Sequence, residues 1–523
     1  MVNNGRIKEV TEDMGMLKSI SLENYKCFKE RTDIEIAPLT ILCGVNSSGK
    51  SSILKSLLML KQSYENELPY NVMTFNGKWV DNGYFEDIIY HDESTKSEEI
   101  EDGEFKISTS FSLIDTSDDN GNNPIKRQDM FSFKDFKKIF FIVKEVDRFQ
   151  ITTTITVKKG VPLNSNGFNV FIENNKIISY RIDINLFFNE NEICLEYPCF
   201  IELNKKGNTE REYYISFSSI PNYDRQTNKY FFDKVNNFKC KCYFSNMHLT
   251  NIFRDNMSPA MRNIKSNLLS IFQVSASQFD GINFIAPLRQ QPERRYLLNG
   301  NVASVGISGE NTPILLARDF DKKKTDVLPP IETENGKIEF KIKKDTLENL
   351  VSNWMNYLDL GVLSLSGKDG FVELNINQHN IVDVGFGVSQ SLPIIVQGLY
   401  MDKDQTLLLE QPEIHLHPEM QLQMADFLIA LAKNEKNVIV ETHSDHFINR
   451  IIHRVMQNYE ELNKIVKIYI VEKNEETYSS SVRLKKIDKY KGTEKDKSKF
   501  FFTQYDSEIT DIVDTGLNNM MEI

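Results

Sequence analysis

The chain runs to 523 residues with a formal net charge of −12, a balance that argues against a surface built to coat nucleic acid. Its hydrophobic share of 40% supports a large core, yet no apolar run reaches the roughly eighteen residues that a membrane-spanning helix needs. Met1 to Met16 is polar with charges of both signs and does not read as a signal peptide, so the expectation is a cytoplasmic chain without membrane contact.

The first predicted elements flank a glycine-rich turn. Leu39 to Cys43 is an apolar run of strand length, and Ile53 to Gln62 repeats its apolar residues at helical spacing. Between them stands Gly44-Val45-Asn46-Ser47-Ser48-Gly49-Lys50-Ser51, a P-loop. Its glycines let successive backbone N–H groups turn inward around phosphate oxygens. Lys50 reaches the β- and γ-oxygens, and the Ser51 hydroxyl is the expected Mg²⁺ ligand. The predicted ATP cradle is therefore Gly44, Asn46, Ser47, Ser48, Gly49, Lys50, Ser51 and Ser52.

From Glu86 to Asn251 the chain changes character. Asp92 to Glu104 is acidic and Asp115 to Asp129 is rich in Asn and Gly, so both read as exposed loops. Gln150 to Val157, Ile177 to Leu186 and Glu212 to Phe217 alternate as strands do. Of the six cysteines, Cys27 and Cys43 fall in predicted strands as small apolar residues. Cys194, Cys199, Cys240 and Cys242 have spacings that suit zinc knuckles poorly and read as reduced thiols. Arg289, Arg294 and Arg295 follow the apolar Phe284-Ile285; whether they meet phosphate, a second subunit or neither stays open.

The last third carries the most chemistry. Asp383-Val384-Gly385-Phe386-Gly387-Val388-Ser389-Gln390-Ser391 precedes an apolar helix, Leu392 to Leu399. Such a helix start, with Gly387, Ser389 and Gln390, can present N–H groups and a hydroxyl to a γ-phosphate, but its own P-loop lies elsewhere. A second copy of the chain would then complete each site. Gln405 to Glu410 reads as a buried strand ending in an acid, the Walker B arrangement that holds a Mg²⁺ shell, with Glu410 as the second metal residue beside Ser51. A helix from Pro418 to Lys433 and a buried strand from Asn437 to Val440 follow. Strand, helix and strand in that order imply a parallel sheet with a right-handed crossover, which brings Glu410 and His443 to the same carboxyl edge.

Catalysis is less decided than binding. Gln411 follows Glu410 directly, and a glutamine cannot accept a proton from the attacking water. Slow hydrolysis with Gln411 positioning water, turnover through Glu413 or His443, and pure ATP sensing all remain open. His415 and His417 lack partnering Cys or Asp and read as a loop against the neighbouring nucleotide rather than a metal site. Near the end, Arg483 to Lys499 is rich in lysine and reads as a solvated loop, and Ile509, Ile512, Val513 and Leu517 trace an amphipathic helix that packs on the core or docks a partner.

The P-loop, Gly385 to Leu392, Leu409 to Pro418 and Glu441 to Phe447, with Ser21-Leu22-Glu23-Asn24-Tyr25-Lys26-Cys27-Phe28 and a further stretch from Phe284 to Arg289 through Pro292 and Arg295-Tyr296, resemble the OLD-like branch of ABC ATPases, relatives of RecF and SMC heads. Within it, the likeness is to the ATPases of bacterial anti-phage systems, the PtuA type of Septu and the AriA type of PARIS. The resemblance implies an α/β fold, an ABC-type P-loop ATPase with a central, mostly parallel sheet and a long β-rich insertion. It adds Lys26 to the ATP-binding residues, and it implies ATP and Mg²⁺ as cofactors. The implied partners are a second copy of the chain forming composite ATP sites, a separate nuclease subunit of HNH or Toprim type, and DNA reached through that complex. Residues 1–85 and 281–470 would be the two halves of the ATPase core, 86–280 the insertion and 471–523 a C-terminal extension. Val471-Glu472-Lys473 resembles the start of a Toprim domain, but no paired Asp-x-Asp follows, so no nuclease activity is expected of this chain. The alternative is a RecF-like repair ATPase that binds DNA directly.

Overall fold

A computed structural model describes residues 17–65, 73–92, strand segments between 102 and 253, and 276–493 with short breaks. The described residues fall into two units. One draws on Met1–Ser21, Met59–Asp87 and Ser97–Gly281; the other on Leu22–Leu58, Ile88–Lys96 and Ile282–Ile523. Cys194, Cys199, residues 115–129 and the predicted helix around Ile509 to Leu517 lie outside the described residues.

The first unit is antiparallel β structure. Strands Glu104–Ile114, Val146–Lys159, Asn175–Phe188 and Leu195–Tyr197 pair in that order, and Ile201–Asn204, Tyr213–Asp224, Lys229–Ser245 and His248–Phe253 form a second sheet. The alternating segments of the insertion are therefore strands: the first two run beyond both predicted ends, and the third extends from Tyr213 past its predicted end to Asp224. Buried Phe105 packs its ring against Phe75 and Phe85 at 6.2 and 5.9 Å between centroids.

The second unit is built on six strands, β1 (Leu39–Cys43), β2 (Ile282–Ile285), β3 (Thr406–Glu410), β4 (Asn437–Glu441), β5 (Val466–Lys473) and β6 (Ser480–Lys485). Their order is β2-β3-β4-β1-β5-β6; all pairings are parallel except β5 with β6. Every residue of β1, β3 and β4 is buried, as expected of parallel strands covered on both faces, which is why each reads as an unbroken apolar run. Helix α1 (Lys50–Glu65) follows the P-loop and begins in this unit, which also holds α2 (Thr312–Asp319), α3 (Leu347–Tyr357), α4 (Phe386–Tyr400), α5 (Pro418–Lys433), α6 (Asp445–Gln457), α7 (Tyr459–Ile465) and several smaller antiparallel sheets.

Its core joins alternate strand residues, Ile41, Leu409, Val440 and Ile468 among them, to Phe427 and Leu431 of α5 and Trp354 of α3. Full burial of each such aliphatic or aromatic side chain contributes about 1.5–3 kcal/mol. Trp354 meets Phe427 edge-on at 4.9 Å, and its indole N–H donates to the Val327 carbonyl, so the large ring is buried without an unsatisfied donor. Gly398 lets α4 approach α5 closely: a Cβ there would stand 2.7 Å from Leu431 Cδ1 and 2.8 Å from Phe427 Cζ.

Helix α4 starts at Phe386, six residues before its predicted start, because Gly385 takes an extended N-cap conformation and the small residues after it are helical. Cys43 sits in β1 as predicted, but Cys27 does not lie in a strand. It occupies a tight turn closed by the mutual bonds of Tyr25 and Phe28, with Asn24 and Lys26 at φ +53° and +50°.

Candidate nucleotide-binding site

β1 delivers the chain to the P-loop at the carboxyl edge of the sheet. Two glycines there are irreplaceable on steric grounds. Gly44 has φ +145°, and a Cβ on it would lie 2.2 Å from the Val471 carbonyl oxygen of β5; Gly49 has φ +104° and would strike Cys27 Sγ at 2.3 Å. The turn at Lys26 thus packs directly on the loop, with the Lys26 N–H donating to the Ile88 carbonyl at 2.5 Å. Val45, Asn46 and Ser47 are exposed, Ser47 in the left-handed region at φ +58°, whereas Ser48 is buried, its hydroxyl without a hydrogen-bond partner among the described residues. Lys50 Nζ folds back onto the carbonyls of Gly44 and Val45, at 3.1 and 2.7 Å. Burial lowers its pKa, opposed by the charges of Glu441 and Glu413 among others. The Ser52 N–H donates to the Gly49 carbonyl in the first turn of α1.

Three acids converge beside Ser51. The Ser51 hydroxyl donates to Glu441 Oε1 at 2.9 Å. Glu441 ends β4 and Glu410 ends β3 in direct register, and the two side chains are only 5% and 9% exposed. Burial, with the neighbouring Glu441 charge, pushes Glu410 up to about 7 against the pull of Lys55 and Arg289. Glu441 is raised as well, by burial, with the Ser51 bond and Lys50 opposing. Glu413 Oε1 accepts the His443 backbone N–H at 2.8 Å; its pKa too is raised by burial. The half-buried His443 ring is held below the usual imidazole range by burial and by the Lys50 charge. Glu410 Oε1, Glu441 Oε2 and Glu413 Oε2 are all buried without a hydrogen-bond partner among the described residues. Leaving such oxygens unsatisfied costs more than a typical hydrogen bond contributes, so the arrangement suits a hard cation that takes oxygen ligands, as Mg²⁺ does. Ser51, Glu410 and Glu441 are the residues that would hold it.

Gln411 sits at the apex of the turn after β3, at φ +46°, with its N–H on the Glu441 carbonyl at 2.8 Å. The structure thus brings Lys50, Ser51, Glu410, Gln411, Glu413 and His443 to one edge. It does not bring Gly387, Ser389 or Gln390 there. Ser389 is 7% exposed with its hydroxyl donating to the Phe386 carbonyl at 2.9 Å, and Gln390 is buried beside it. Gly385 and Phe386, the latter 63% exposed, are the groups that face outward at the start of α4. His415 and His417 are exposed, the His415 ring 6.3 Å from that of Phe386, and no group of three His, Cys, Asp or Glu side chains placed to hold a metal ion occurs among the described residues.

Two residues of the site went unassigned in the sequence. Glu441 had a signal, an acid closing a second buried strand as Glu410 closes the first. Arg289 had only its place after the apolar Phe284-Ile285. It is 6% exposed and donates to the carbonyls of Pro287, Gln411 and Glu410 at 3.0, 3.2 and 3.2 Å.

A P-loop on β1, an acid on β3, and β4 inserted between those strands define a P-loop ATPase of mixed α/β architecture. The chain belongs to the AAA_15 family, the AAA ATPase domain, whose model matches residues 16–448. No curated protein matches it. Similar solved structures include an SMC head bound to the C-winged helix domain of ScpA, with 12% identity, a TM-score of 0.40, and 91% of this chain and 98% of that one covered. An SMC head domain from Thermotoga maritima follows at 9%, 0.35, and 90% and 100%. An Smc head with an extended coiled coil, bound to the C-terminal domain of ScpA derived from Pyrococcus furiosus, stands at 11%, 0.37, and 90% and 96%. Scores this low carry no argument about the present chain.

Proposed function

We propose that this ATPase is an ABC-type control subunit: two copies close on ATP, each completing the other's site, and the closed pair governs a separate effector nuclease in defence against phage. The observation that carries the nucleotide chemistry is Ser51 bonded to Glu441 beside the unpartnered oxygens of Glu410 and Glu413. Lys50 and the loop N–H groups would hold the phosphates, and Ser51, Glu410 and Glu441 would hold a Mg²⁺ ion, which would supply charge neutralisation at the phosphates. Glu413, held by the His443 N–H, is the acceptor for the water proton, and Gln411 orients that water. The exposed start of α4, Gly385 to Gly387, is the surface that meets the other copy's γ-phosphate, since nothing among the described residues comes within 4 Å of a Cβ on Gly385. Support for the effector role is the resemblance of Phe284 to Arg289, through Pro292 and Arg295-Tyr296, to a segment common in ATPases of anti-phage systems.

The test is complementation. Gly385→Glu fits the free protomer sterically but sets a carboxylate against the γ-phosphate, and Lys50→Ala removes the ammonium at the phosphates. Each variant alone is expected to be inactive. An equal mixture should recover about a quarter of wild-type turnover, because half the dimers are mixed and each holds one intact site. No recovery from co-assembled, folded variants refutes the shared site. The purified chain is also expected to cut no DNA with Mg²⁺ or Mn²⁺; cleavage abolished by a point mutation in this chain refutes the effector-control reading.

A further inference from the structure

Strand β2 runs parallel to β3 at the sheet edge, with Ile285 opposite Leu409. The chain leaving it is pinned on both sides of Arg289, Ala286 N–H to the Ile307 carbonyl and Gln290 N–H to the Ser308 carbonyl, each at 2.8 Å. The Arg289 side chain is directed onto the turn after β3 and is almost fully buried there. No carboxylate lies within ion-pair distance of it among the described residues, and its Nε–H has no partner. Burying a cation in this way costs several kcal/mol, which a Met or Leu of similar volume would avoid.

The carbonyls it grips explain the placement. Those of Glu410 and Gln411 are the peptide oxygens on either side of the Gln411 α-carbon, the residue at φ +46°. A left-handed conformation at a non-glycine residue costs about 1–2 kcal/mol, so the turn needs an external clamp. The planar fork of a guanidinium can bond these two carbonyls and that of Pro287 together; an ammonium, a compact point charge, cannot span them in the same way. The turn in its grip aims three groups: Glu410 before it, Gln411 at its apex and Glu413 just after. The guanidinium charge also favours the ionised form of Glu413.

We infer that Arg289 is a positioning residue for ATP hydrolysis, one that sets the turn from Glu410 to Glu413 without touching nucleotide; the inference rests on the ATPase reading proposed above. Steady-state turnover and ATP affinity of the full chain are to be measured for wild type, Arg289→Lys, Arg289→Met and Arg289→Ala. All three variants should bind ATP within about threefold of wild type, while kcat falls by about 10²–10³, the range for losing one preorganised donor. Millimolar ethylguanidinium should restore part of the Arg289→Ala turnover, and ethylammonium should not. If the wild type hydrolyses ATP and the variants match it, or if affinity and melting temperature collapse together with kcat even in Arg289→Lys, the inference fails while the ATPase reading stands. A wild type that binds ATP and never turns it over overturns both.

Discussion

Among the described residues, Asp426 on α5 is the most heavily bonded buried carboxylate in the ATPase unit, and its removal gives a direct measure of what holds α3, α5 and α6 together. The carboxylate is 0% exposed. It accepts Arg450 Nε and Nη2 at 3.1 and 2.7 Å, Arg454 Nε and Nη2 at 2.8 and 3.1 Å, and the Tyr357 hydroxyl at 2.6 Å. Burial and the Asp426 charge push that hydroxyl up to about 12, so it stays a donor. Asp426→Ala leaves two guanidiniums without their acceptor. Arg450, with its side chain 22% exposed, can turn to water and relieve its share; Arg454, at 6%, cannot. Breaking a buried pair costs about 3–5 kcal/mol, and the partial escape of Arg450 puts the expectation near the lower end, about 3–4 kcal/mol. At roughly 2–4 °C per kcal/mol, the melting transition of this unit should fall by about 6–16 °C in differential scanning fluorimetry. Asp426→Leu combined with Arg454→Met should recover much of the loss, because one whole buried pair then leaves together. An Asp426→Ala protein melting within about 2 °C of wild type refutes the reasoning.

Three further substitutions bear on the site. Glu413→Gln should cut ATP turnover by about 10²–10⁴ with binding intact, since the His443 N–H keeps an acceptor while the proton acceptor is lost. Gln411→Glu should then change turnover little, and the reverse pattern in steady-state kinetics assigns the acid role to position 411. Gly44→Ala should weaken ATP binding at least about tenfold by calorimetry, because its methyl meets a backbone oxygen of β5 that cannot swing aside. Affinity within twofold of wild type would count against the rigid loop described here.

Much of this site was legible in local chemistry. The P-loop announces itself because only glycine tolerates the turns at positions 44 and 49, and β1, β3 and β4 announce themselves because strands buried on both faces must be apolar throughout. Pro418 opens α5 at the first helical position, where its missing N–H costs nothing. Other features depend on which strands become neighbours, a matter of long-range packing that no local pattern encodes. Because β4 slides between β1 and β3, Glu441 rather than Glu410 receives the Ser51 hydroxyl. Because β2 lies against β3, Arg289 reaches the turn at Gln411 from more than a hundred residues away in the chain. Helix packing made the remaining choice: α4 begins early enough that Ser389 is a buried first-turn residue bonded to Phe386, and Gly385 is left facing out. Spacing chose the residue types; the order of the strands and the start of one helix chose which of them meet.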